Sequence, residues 1–298
     1  VPTYLGESKP WGNVGEMSNS GIELDMNYRY SIGDFNFSIG ANATYIKTIL
    51  INAGNETGIL DGGSFHQMGT ITRGQNGMVY PYFYGYKTDG VFQNWDEVNS
   101  YVGADGSLIQ PSAQPGDFRY KDLDGDGKIT AEGDRTNLGK CVPAWTYGVN
   151  ASIDWKGIDF SMVWQGVAGN KIFDGTRRTD IPTMNQPKYV LNRWTGEGST
   201  NAYPRFTTTD PNQNWSKASD FFIKDASYFR LKNITLGYTL PYNWTKKVFV
   251  KKLRVYVAAE NLLTLTKYDG FDPEIAGYMD RGIYPQARTF QFGASITF

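Results

Sequence analysis

Residues Ala287 to Phe298 read ARTFQFGASITF. Successive side chains of an extended strand point to opposite sides. Phe290, Phe292, Ala294, Ile296 and Phe298 therefore share one face, and Thr289, Gln291, Gly293, Ser295 and Thr297 the other. Strands in globular proteins are usually about 5–6 residues long. A strand that crosses hydrocarbon needs ~9–11 residues, alternating lipid-facing with lumen-facing side chains. The stretch predicts a transmembrane strand that turns Phe290, Phe292, Ile296 and Phe298 to the membrane. Its aromatic end, with no tail beyond it, predicts the last strand of a barrel.

Six more segments alternate in the same way toward the N-terminus. Gly21 to Tyr30 sets Ile22, Leu24, Met26, Tyr28 and Tyr30 against Glu23, Asp25, Asn27 and Arg29. Phe35 to Tyr45 sets Phe35, Phe37, Ile39, Ala41, Ala43 and Tyr45 against Asn36, Ser38, Gly40, Asn42 and Thr44. Only residues 31–34 separate these two, which predicts a hairpin. Trp145 to Trp155 and Ile158 to Gln165 form a second pair across the Lys156-Gly157 turn. Asn233 to Leu240 and Leu253 to Glu260 form a third, although Tyr228 to Lys232 mixes both faces.

The connections are sorted by length. Those within hairpins are short (31–34, 156–157, 241–251), and those between hairpins are long (46–144, 166–227, 262–286). Bacterial barrels have short periplasmic turns and long extracellular loops. With the last strand running inward, each short turn falls on the periplasmic side and each long connection outside. An extra strand pair within 46–144 would preserve that parity. The fold class predicted is all-β: an antiparallel transmembrane β-barrel with long extracellular loops. Seven to nine strands do not close a wide barrel, and open edges leave backbone groups unpaired in lipid. Loops this long would dwarf a small barrel. The expectation is a C-terminal portion completed by other strands of the same parent chain. The start at Val1, with no signal peptide, predicts a chain processed or excised from something longer.

Composition bounds the alternatives. The 298 residues carry a formal net charge of −1, so no basic face for nucleic acid is expected. The single cysteine, Cys141, excludes an internal disulfide framework, and the single histidine, His66, argues against a zinc site or a His-dependent triad. Mean hydropathy is −0.45 and no run of ~18 apolar residues occurs, so no transmembrane helix is predicted. Twenty Tyr, 17 Phe, 8 Trp and 34 Gly fit aromatic girdles and Gly-rich strands, and equally an ordinary secreted β protein. No GxSxG, CxxC, HExxH or strand–glycine loop–helix pattern is present, so no enzyme is predicted.

Six stretches resemble, in order, the C-terminal region of SusC/RagA-type TonB-dependent transporters of the Bacteroidetes outer membrane. They are Tyr82 to Asn94 (YFYGYKTDGVFQN), Pro115 to Arg135 (PGDFRYKDLDGDGKITAEGDR), Trp145 to Asn170 (ending WQGVAGN), Ser227 to Pro241 (SYFRLKNITLGYTLP), Glu260 to Pro273 (ENLLTLTKYDGFDP) and Gly282 to Phe298. The resemblance covers most of the chain. It implies a barrel of about 22 strands, plugged by an N-terminal domain that this sequence lacks. It also implies a SusD-like lipoprotein lid over the mouth, and TonB engaging the N-terminal region to drive import.

Asp122-Leu-Asp124-Gly-Asp126-Gly-Lys128 matches the first half of an EF-hand calcium loop. Calcium takes about 6–8 oxygens, here from Asp122, Asp124, Asp126 and the Lys128 carbonyl. Position twelve is Gly133, so Asp134 would serve only across a one-residue bulge. The bland reading is a tight Asx/Gly turn whose acids face water. A bound Ca2+ would be structural, stiffening an extracellular loop. Loop aromatics (Tyr80, Tyr82, Tyr84, Trp95, Trp194, Trp215) are candidates to hold cargo, against girdle anchoring or loop-on-loop packing. Asn150, Asp154, Gln165 and Glu260 are candidates to line the path. The function predicted is TonB-dependent import of an oligosaccharide or oligopeptide. The alternatives are a secreted calcium-stabilised β-sandwich that binds glycans, and a passive porin.

Overall fold

A computed structural model describes residues 14–178 and 184–298. The start at Val1 and residues 179–183 of the 166–227 connection lie outside the described residues. All seven alternating segments form strands: β1 (Glu16–Ile32), β2 (Phe35–Asn52), β3 (Trp145–Trp155), β4 (Ile158–Ala168), β5 (Tyr228–Thr239), β6 (Lys252–Thr266) and β7 (Thr289–Thr297). They make one sheet in which every strand pairs antiparallel with its sequence neighbour, β1 and β7 being the edges.

Register carries each strand's alternation across the whole sheet. Tyr30 pairs Phe37, Phe37 pairs Ile153, Ile153 pairs Phe160, Phe160 pairs Leu236, Leu236 pairs Val257 and Val257 pairs Phe292. One position along, Arg29, Ser38, Ser152, Ser161, Thr235, Ala258 and Gln291 form the matching row on the opposite face. The Ser38 and Ser152 hydroxyls are hydrogen-bonded at 2.8 Å. A one-residue slip between any two strands would put an apolar set on the polar side, so the two-faced pattern fixes the register.

The apolar face is open. Phe290 is 63% exposed, Phe292 82% and Phe298 75%, and Leu236, Val255, Val257 and Ile296 are exposed too. In a sandwich a second sheet would pack on such a face about 10 Å away. Here the other sheets, among the described residues, are short and built from the connections.

The mixed stretch Tyr228 to Lys232 has a local cause. The β4–β5 register shifts between Val163 and Trp164, and the β5–β6 register between Leu231 and Asn233. Asn261, at the same level of β6, has a left-handed φ of 52°. Such a bulge inserts a residue and re-aims the side chains beyond it. On its far side, Phe229 stacks on Trp164 with ring centroids 4.8 Å apart. The strands also outrun the predicted ones, since β2 continues to Asn52 and β6 to Thr266. Backbone pairing extends there although the alternation has lapsed.

The connections are folded. Within 53–144, the strands Ile59–Asp61, Thr72–Gln75, Tyr82–Tyr86 and Arg135–Lys140 form a four-stranded sheet, and Thr88–Val91 pairs with Phe118–Tyr120. None of them joins the seven-stranded sheet. Phe65, Phe83, Cys141, Phe173, Trp215 and Phe222 share one buried cluster, which fuses the first two long connections into a single body. The third is tied in by a short parallel pairing of Phe173–Asp174 with Met279–Asp280. Cores of this kind need closely packed large side chains, and this chain spends its aromatics on them in the connections.

Candidate functional site

The Asp122–Asp126 loop is a series of side-chain-to-backbone bonds. Asp122 accepts from the N–H of Gly125 (2.7 Å) and of Gly127 (2.9 Å), and Asp126 from the N–H of Lys128 (2.9 Å). Gly125 and Gly127 sit at φ 77° and 81°, where a Cβ would be strained. Carboxylate oxygens of Asp122, Asp124 and Asp126 lie within 4.8 Å of one another. Asp134 is fully buried. Its two oxygens accept from the N–H of Leu123 (2.6 Å) and of Thr130 (2.7 Å), so it clasps the two ends of the loop.

Four of the six loop aromatics considered for cargo part company. Trp95 is exposed at the start of helix α1 (Trp95–Ser100), which Asn94 caps by accepting from the N–H of Glu97. Trp194 is half-buried over Gly116, and its indole N–H donates to Gln93 (3.3 Å). Trp215 is buried, edge-on to Phe206 and Phe221, with the Arg177 guanidinium 4.6 Å over its ring. Tyr84 is buried with Arg73 at 3.6 Å and Arg135 at 4.3 Å from its ring centroid. Trp215 and Tyr84 thus pack loop against loop in this chain.

On the polar face, Asn150, Asp154 and Gln165 lie on β3 and β4 and Glu260 on β6. The sequence reading missed the ion pair set among them. Arg254 on β6 reaches across β5 to Asp159 on β4, with Nε donating to Oδ1 at 2.8 Å. The side-chain-free Gly237 on β5 makes room, since a Cβ there would lie 2.5 Å from Asp159 and 2.6 Å from Arg254. Polar lumen walls of this type are what a barrel presents to water.

Three further constellations in the connections were not foreseen. Asp117, fully buried, is bridged by Arg205 (Nη2–Oδ2 3.0 Å) and accepts from Asn214 (2.8 Å). Arg230 on β5 meets Asp272 and Glu274, the latter at 2.6 Å, and so pins the last connection to the sheet. Burial alone would raise the Asp272 carboxyl, but hydrogen bonds from Arg230 and from the N–H of Gln286 and Glu274 outweigh it and hold it below the usual carboxylate range. A hollow of about 440 Å³ opens between Asp174, Tyr189, Asn192, Tyr203, Asp269 and Phe271. Its carboxylates and rings could grip a polar ligand with flat apolar faces. No local motif announces any of these, because their members lie 40 or more positions apart or depend on how the connections fold.

No protein-family model matches the chain. It is 30% identical to TonB-dependent receptor P3 of Formosa agariphila, over 100% of this chain and 30% of that protein. It is 28% identical to receptor P26 of the same organism, over 31% of its length, and 26% identical to TonB-dependent receptor SusC of Bacteroides thetaiotaomicron, over 27%. The chain therefore spans about a third or less of the curated relatives it matches. Two solved structures share the fold. One is of the RagAB peptide transporter, with TM-score 0.76 and 23% identity, and one is of the RagAB peptide importer in a closed-closed state, with TM-score 0.74 and 24% identity. Each covers 100% of this chain and 31% of the other. These relatives are receptors and transporters, not enzymes.

Proposed function

This chain belongs to the SusC/RagA-type TonB-dependent transporters, as a segment of their β-barrel in the bacterial outer membrane, and from that premise we propose that the full-length protein actively imports a nutrient. The cargo is an oligosaccharide or oligopeptide too large for passive diffusion. TonB, engaging a region outside this sequence, drives the import, and a SusD-like lipoprotein lies over the mouth. The remainder of the barrel pairs with the open edges of β1 and β7 and surrounds a plug, because unpaired edges are too costly in lipid.

The observation that carries this reading is the seven-strand register: an apolar row runs across one face of all seven strands, exposed at Tyr30, Leu236, Val257 and Phe292, and the opposite face is predominantly polar. With all long connections at one end, the sheet serves as a wall between hydrocarbon and an aqueous path, with a receptor body above it. The test is native co-purification of the full-length protein from outer membranes, with mass spectrometry of the bound partner and trapped ligand. A lipoprotein partner and a sugar or peptide ligand support the proposal. Recovery of the protein from cells without detergent rejects it, as does undiminished growth on every complex glycan and peptide source after deletion of its gene.

The Asp122–Asp126 loop is proposed to hold a structural Ca2+ through Asp122, Asp124, Asp126 and the Lys128 carbonyl. The converging carboxylates support it. Calcium should raise the unfolding temperature of the full-length protein, and chelation should reverse the rise. Asp124→Asn should abolish the calcium response, and an equal response in that variant would defeat the assignment.

A further inference from the structure

The apolar face of the wall is not evenly filled. A hollow of about 610 Å³ is lined by Ile158, Leu236, Tyr238, Val255, Val257 and Phe292. All six belong to the apolar rows, through the pairs Ile158–Tyr238, Tyr238–Val255, Leu236–Val257 and Val257–Phe292. The hollow sits low on the wall. Ile158 comes directly after the Lys156-Gly157 turn, and Tyr238 and Val255 lie close to the two ends of the 241–251 connection.

That connection differs from its two neighbours, which are tight turns. It folds into a helical turn at Tyr242–Thr245 and a 3-10 turn at Lys246–Val248, then passes through Phe249 in a left-handed conformation (φ 58°). Thr245 is buried and anchors the excursion, with its carbonyl accepting from the N–H of Val250. The large side chains point outward. Tyr242, Trp244 and Val248 are exposed, and Phe249 is 90% exposed. Lys246, Lys247 and Lys251 are interspersed with them, and no Asp or Glu lies between Leu240 and Arg254. The Lys251 N–H donates to the Thr297 carbonyl (2.8 Å), which places this lysine beside the end of β7.

Aromatic rings exposed at the ends of membrane-crossing strands favour the headgroup level. Lysines at that level attract anionic headgroups and are indifferent to zwitterionic ones. The trough above offers almost only apolar surface, which suits an acyl chain and not a free anion. We infer that trough and turn together bind one anionic phospholipid of the leaflet on the short-connection side. Its acyl chain lies along Val255, Val257 and Phe292, and its phosphate is held by Lys246, Lys247 and Lys251. Trp244 and Phe249 flank the glycerol region. This site rests on the reading of the sheet as a membrane wall.

The full-length transporter, extracted in mild detergent and exposed to equal phosphatidylglycerol and phosphatidylethanolamine, tests it by native mass spectrometry. The natural protein should retain phosphatidylglycerol preferentially. K246Q/K247Q/K251Q should lower that preference by about tenfold or more. V257W, which fills the trough, should lower retention of both lipids. These substitutions are on the outer surface, and the heat-dependent gel mobility of a folded barrel verifies assembly. Equal retention of the two lipids by the natural protein overturns the inference, as does an unchanged preference in the triple lysine variant. Either result leaves the membrane wall standing. Recovery of the protein without detergent would instead remove the premise itself.

Discussion

At the scale of single residues, the least conspicuous one sets the polar face. Gly237 reads in the sequence as one more small position in an alternating strand. Its role appears only when register sets Asp159 beside it and the Arg254 guanidinium, from a residue paired with Thr239, reaches diagonally over it. Gly237→Leu should drive the two charges apart and cost about 1–3 kcal/mol by overpacking. The readout is a lower temperature for loss of folded-barrel gel mobility, and an unchanged temperature would show that the pair has room to spare. Cys141 makes the opposite point, since its lone occurrence already argues for an inert role. It is buried in the cluster with Phe83 and Phe173, and burial pushes its thiol far above the ordinary range. A maleimide should leave it unlabelled in the folded transporter and label it fully in denaturant. Asp134 fits the metal motif only across a bulge, and its actual partners, the N–H groups of Leu123 and Thr130, are backbone donors that no sequence motif reveals.

At the scale of elements, the strands were legible and the connections were not. Lipid on one side and water on the other impose a period of two on every strand, so Phe35 to Tyr45 or Ala287 to Phe298 can be read without knowing any neighbour. The connections answer to no such external rule. Their cores are assembled from distant pieces, as with Phe83, Phe173 and Phe222. The pair Asp117–Arg205 is held together in the same long-range way. Removing the cation from a buried ion pair strands the carboxylate and costs about 3–5 kcal/mol. Arg205→Met should therefore speed amide exchange across residues 114–120 and 203–215 while leaving the β1–β4 amides unchanged. Exchange that quickened equally in the wall would mean that the connections and the sheet unfold together. The last connection should respond to acid. The Asp272 carboxyl is held below its ordinary value of 3.8, so its contribution is complete above that pH and is lost as pH falls through the lower folded value. Exchange of residues 270–286, corrected for intrinsic rate, should rise between pH 5 and pH 3, and Asp272→Asn should show the raised rate at both.

At the scale of the molecule, the sorting of connections becomes a statement about sides. Residues 53–144 and 169–227 form one body above the sheet, whereas 33–34, 156–157 and 241–251 leave it at the other end. A body of that size cannot be threaded through the hydrocarbon without exposing its unpaired backbone groups to lipid. The short connections can be, and the up-and-down antiparallel order of the strands puts all of them at the same end. The proposed orientation sets the body outside the cell. Cys141 is buried, so single cysteines placed at exposed positions can report the side directly. Ala104→Cys and Asn243→Cys both fall at exposed positions, one in the body and one in the last short connection. A membrane-impermeant maleimide added to intact cells should label Ala104→Cys, and should reach Asn243→Cys only after the outer membrane is permeabilised. The reverse pattern would invert the whole assembly and place the hollow near Tyr203 and Phe271 on the periplasmic side, where it could not receive a nutrient from outside.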